Sequence, residues 1–157
     1  MRIQLWSVGK PHDKQLAASI EEFTSRLQKY YAADWHIIAP PKNAASLQVD
    51  ALKKQEGGLI LNQLQQGDYL VLLDEKGKML SSTDLAAFID QRATESTKRI
   101  VFLIGGAFGV DEVVRKSAHM VWSLSKLVFP HMIARLILAE QLYRACSINR
   151  GEKYHHL

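Results

Sequence analysis

Residues 68–74, DYLVLLD, and residues 99–104, RIVFLI, decide how this chain folds. Both are short, unbroken apolar runs, the pattern of central strands in a sheet covered on both faces. Between them, Ser82 or Thr83 can cap a helix that carries Leu85, Phe88 and Ile89. Strand, helix, strand in succession is the signature of a parallel sheet with crossover helices.

The same rhythm extends outward. Towards the N-terminus, residues 2–8 place Ile3, Leu5 and Ser7 on one side of a strand and Gln4, Trp6 and Val8 on the other, before Gly9, Lys10 and Pro11 end it. Leu16, Ile20, Phe23, Leu27 and Tyr30 then recur at helical spacing on one face. Residues 35–39 form a strand stopped by Pro40 and Pro41, and residues 44–65 a helix weakened at Gly57 and Gly58. Beyond Gly105 and Gly106 come a short helix over 111–118, a strand over 120–124 and a long helix from Pro130 or His131 to Ile148. That last helix carries Ile133, Leu136, Ile137, Leu138, Leu142 and Ala145 over more than one narrow stripe, so both its sides are covered, one by a dimer partner. The fold class is α/β: one domain over residues 1–157, with a mostly parallel sheet and helices on both faces.

Length and composition agree. With 157 residues, 47% of them hydrophobic, the chain holds one real core. No run is long enough for a membrane span, and the N-terminus has no signal-peptide core, so a soluble, cytoplasmic protein is expected. Cys146 is the only cysteine; an intrachain disulfide is excluded and no metal site is expected, because zinc-ligand spacings are absent. A net charge of +4 suits a polyanionic partner without requiring one.

In open α/β sheets ligands bind beyond the carboxyl ends of the strands. Three loops there carry unusual residues. Asp74 reads as a polar strand end or a ligand contact, before a turn at Glu75, Lys76, Gly77 and Lys78. Gly105, Gly106 and Gly109 read as a tight turn or a cradle for ligand backbone contacts. The segment SLSKLVFPH, residues 123–131, joins hydroxyls, an apolar run and a Pro-His step at a helix mouth. His131 reads as a capping or surface histidine, or as a catalytic one. Arg135 follows one turn later, where the two could meet a phosphate or carboxylate together. The polar end, with Arg150, Lys153, Tyr154, His155 and His156, reads as a disordered basic tail or as an RNA-stacking element.

LLD, FLIGGAFG, WSLSKLVFPH and ARLILAEQLYRACSINRGEKYHH, with the opening IQLWSVGK, together resemble the ribosomal RNA large subunit methyltransferase H family of the SPOUT superfamily over essentially the whole chain. The resemblance implies a C-terminal trefoil knot, S-adenosylmethionine as methyl donor, and a homodimer that methylates N3 of a pseudouridine in 23S rRNA on the assembled ribosome. By position it implies cofactor contacts at Leu73, Gly106, Ser125, Lys126, Leu127, Val128, Phe129 and Pro130. Phe108 stands where a more polar residue is expected. His131, Arg135, Tyr154 and His155 are the catalytic candidates, in acid/base, electrostatic, stacking and acid/base roles respectively. The alternatives are a non-catalytic, ribosome-associated RNA-binding module and a nucleotide-binding oxidoreductase. The second is disfavoured because its glycines would follow the first strand.

Overall fold

Five parallel strands lie in the order β2-β1-β4-β3-β5 in the computed structural model, which describes residues 1–156. In chain order the elements are β1 (Arg2–Val8), α1 (Lys14–Leu27), β2 (Ala32–Ile38), α2 (Val49–Leu61), β3 (Tyr69–Met79), α3 (Ser82–Thr94), β4 (Arg99–Ile104), α4 (Glu112–Ser117), β5 (Met120–Ser123) and α5 (His131–Asn149). The two apolar runs are the neighbouring strands β3 and β4, paired from Tyr69 with Ile100 to Leu73 with Ile104.

Because strand side chains alternate, each strand feeds two cores. Ile100, Phe102 and Ile104 of β4 join Ile3, Leu5 and Val71 beneath α1, α3 and α5. Val101 and Leu103 join Trp6, Leu70 and Leu72 beneath α2 and α4, with Ile60 and Val114. Helices therefore cover both faces, as the unbroken apolar runs require.

Boundaries differ from the sequence reading where local chemistry outweighs periodicity. The second strand begins at Ala32, because parallel pairing with β1 extends to Arg2 and Ala32. The long helix expected over 44–65 is a 3-10 turn, Ala44–Ser46, followed by α2 from Val49. Leu47 lies extended between them. Gly57 and Gly58 stay helical, and Gly57 lies against Asp111, whose carboxylate a Cβ would meet at 2.8 Å. The cap of α3 is Ser81 and not Ser82 or Thr83: its hydroxyl accepts from Asp84 N–H, and the Asp84 carboxylate accepts from Ser81 N–H.

The turn expected at 75–78 lies inside β3. The strand pairs with β5 through Leu73 opposite Trp122, then again through Lys78 opposite the same Trp122. Residues 74–77 are therefore displaced from the ladder as a bulge. Asp74 shapes it by accepting from Lys76 N–H at 2.8 Å.

Candidate active site

Strand order brings the three unusual loops together. Because β4, β3 and β5 are consecutive neighbours, the segments after Ile104, Leu73 and Ser123 leave the sheet side by side. They enclose a cavity of about 520 Å³ whose wall includes Leu73, Asp74, Gly106, Ser125, Phe129 and His131. That size and mixed lining suit a nucleoside-sized ligand.

The glycine loop is a tight turn as well as a wall. Gly109 N–H donates to Gly106 C=O at 3.0 Å, and Gly109 has φ 83, a conformation that glycine tolerates. The tight-turn reading of this loop therefore holds, and the same turn lines the cavity. In the loop after β5, Ser123 Oγ donates to Ser125 C=O at 2.8 Å, and Ser125 Oγ accepts from Leu127 N–H at 3.0 Å. These bonds fix the backbone while Leu127 and Val128 remain 70% and 75% exposed. Lys126 and Pro130 are exposed and do not line the cavity, although the resemblance implies contacts there. Phe108 is exposed on the rim.

His131 is the first residue of α5 and is not its cap; Pro130 holds the cap position without a side-chain hydrogen bond. Burial, reinforced by the Arg135 charge, lowers the His131 pKa below its ordinary value. The ring is therefore neutral near pH 7 and able to accept a proton.

Arg135 does not share the cavity with His131. It is fully buried, with Nε donating to Ser7 Oγ at 2.9 Å and Nη1 to His12 Nδ1 at 3.1 Å. A joint contact with phosphate is ruled out in this conformation, because α5 turns Arg135 beneath the loop that follows β1. Asp74 lies on the cavity wall, but its carboxylate is paired with Arg115 of α4.

Tyr154 and His155 lie elsewhere again. The Tyr154 hydroxyl donates to Glu140 Oε1 at 2.9 Å, its ring meets that of Tyr143 at 4.6 Å, and His155 Nδ1 accepts from Arg144 Nη1 at 3.1 Å. The end of the chain is thus packed on α5, contrary to the disordered-tail reading. At 1.5 Å per residue, these helix positions lie roughly 14–20 Å from His131 along the axis. Burial and the bond to Glu140 raise the Tyr154 pKa, keeping the phenol protonated.

Sequence reasoning missed Lys53 and Arg115, both on the cavity wall. No local signal marks them: α2 and α4 meet the strand-end loops only through the fold. Among the described residues no group of three or more His, Cys, Asp or Glu side chains could hold a metal ion, and no helix is long and apolar enough to cross a membrane.

A parallel sheet with a backbone-rich cavity beyond three adjacent strands defines the class, and residues 1–155 match the family described as "Predicted SPOUT methyltransferase". The chain is 43% identical to the Ribosomal RNA large subunit methyltransferase H of Cytophaga hutchinsonii, covering 99% of this chain and 100% of that one. It is 42% identical to the protein of the same name from Christiangramia forsetii, covering 99% of each. The chain belongs to the ribosomal RNA large subunit methyltransferase H family. A crystal structure of a probable methyltransferase from Bordetella pertussis Tohama I shares the fold, with a TM-score of 0.55 at 12% identity over 92% of this chain and 95% of that one.

Proposed function

We propose that this protein transfers a methyl group from S-adenosylmethionine to large-subunit ribosomal RNA. Its acceptor is N3 of a pseudouridine in 23S rRNA presented by the assembled ribosome, and it acts in the cytoplasm as a homodimer of single-domain chains with the family's knotted C-terminal segment. The observation that carries this reading is the convergence of three backbone-rich loops and a neutral histidine on one cavity, in a chain similar along its length to proteins of that name.

The cavity fits the donor. In this reading main-chain groups of the loops after β3, β4 and β5 hold adenine edges and ribose hydroxyls, beside an apolar wall of Leu72, Ile104 and Ala134. When bound, the donor supplies an electrophilic methyl carbon. The task of the protein is then to align the acceptor nitrogen with that carbon and to exclude water. His131, neutral at the cavity mouth, accepts the proton that the imide nitrogen must lose. Buried Arg135 is a positioning residue that ties α5 to the loop after β1.

Tyr154 and His155 are too far along α5 to serve the cavity of their own chain, so in this reading they serve a partner's. Exposed Ile133 near the start of α5, with Leu127 and Val128 of the loop before it, supplies apolar surface on which a second copy fits in this reading. In cells lacking the protein, mass spectrometry of 23S rRNA should show one pseudouridine without its methyl group. An unchanged modification pattern would overturn the proposal.

A further inference from the structure

Glu56 is a buried acid that the reading above leaves unused. It sits in α2 at 6% exposure, and burial pushes its carboxyl pKa upward, with no hydrogen bond or cation among the described residues opposing the shift. Its carboxylate lies against the glycine loop: a Cβ built on Gly106 would collide with Glu56 Oε1. Gly106 therefore lacks a side chain because the carboxylate fills that space, while the loop itself lines the cavity. A carboxylate this far withdrawn from water is costly to ionise, and an apolar residue would pack α2 without that cost.

The cavity wall offers no buried carboxylate to spare. Asp74 is paired with Arg115, Glu75 is exposed, and Lys53 and Lys76 add two further cations. S-adenosylmethionine carries a sulfonium and an ammonium against one carboxylate, so it is a net cation. We infer that Glu56 is the counter-charge for this cationic donor, set behind Gly106 so that its carboxylate acts across a loop only one backbone thick. The inference rests on the donor reading above. For opposite charges separated by a single backbone layer in partly buried protein, the expected effect is about tenfold or more in affinity.

Titration calorimetry with S-adenosylmethionine and with S-adenosylhomocysteine, whose thioether is neutral, separates charge from shape. Glu56→Gln should weaken binding of the sulfonium donor about tenfold and of the thioether far less, lowering the ratio of the two affinities. The ligand-free variant should also melt higher, since a buried unpaired acid is gone, whereas a merely structural acid would leave it melting lower. Should Glu56→Gln fail to fold, Glu56→Met repeats the measurement; if neither folds, Glu56 is a structural acid and the inference falls. It also falls if the affinity ratio is unchanged, or if both ligands weaken equally. A wild-type protein that binds neither ligand would instead remove the donor reading on which this rests.

Discussion

Among the described residues Arg135 is a guanidinium without an acidic partner, and its Nη2 has no hydrogen-bond acceptor there. Such a group raises the local potential, and its neighbours register it: burial first and then the Arg135 charge lower the pKa of both His12 and His131. A catalytic His131 must be neutral, so methylation should lose activity on acidification with a midpoint below 6.5, the ordinary histidine value. Arg135→Gln removes the charge, and the midpoint should move to higher pH, as read from the pH dependence of kcat/KM and from the His131 ring signals in NMR. Unmoved signals would show that Arg135 does not act on His131. The linkage to stability has a definite sign. Folded-state values below the unfolded one favour folding fully above about pH 6.5, and that contribution is lost as pH falls through the lowered values. The melting temperature should therefore drop between pH 8 and pH 5.

Among the elements, β3 and β5 depend on one residue. A Cβ on Gly77 would lie 2.6 Å from the backbone carbon and oxygen of Val121 and 2.8 Å from Trp122 N. Backbone held in a ladder cannot step aside as a side-chain tip can. Gly77→Ala should therefore displace β5 or unfold the bulge, at about 2 kcal/mol or more, which lowers Tm by roughly 4–8 °C in a chain of this size. Thermal unfolding checks this, and an unchanged Tm would mean that the bulge is plastic. Because residues 74–77 also lead into the cavity wall, the same variant should weaken donor binding.

For the whole molecule, the separation of His131 from Tyr154 and His155 makes subunit exchange informative. Deleting residues 152–157 should abolish methylation while leaving donor affinity nearly unchanged, because the described tail residues contact α5 and Tyr30 in the turn after α1, not the cavity. His131→Ala should abolish it from the other side. If each tail serves its partner, mixing the two inactive proteins creates heterodimers with one intact site, and activity should reappear at up to about half the wild-type level per heterodimer. Continued inactivity in a mixture shown to exchange subunits would place the tail's action within its own chain, and a monomeric mass at micromolar concentration in ultracentrifugation would remove the premise.

The sequence by itself determined the strands β1, β3 and β4, the helices α1 and α5, and the parallel α/β class, because periodicity records which side chains are buried and needs no partner to be read. It also marked the three loops that carry the cavity, since glycines, a Pro-His step and a strand-end acid are local departures from that periodicity. Strand order was decided only by tertiary structure, and with it the meeting of those loops. The same holds for the fate of single side chains. Arg135 and His131 are one helical turn apart and looked like partners, yet one faces Ser7 near the end of β1 and the other the cavity. Tyr154 and His155 looked free, yet they pack on Glu140, Tyr143 and Arg144. Glu56 gave no local signal at all, because what makes it unusual is a glycine fifty residues away in sequence. Burial without a partner is a property of the assembled fold: it depends on which elements meet, and pairwise spacing along one chain does not encode that.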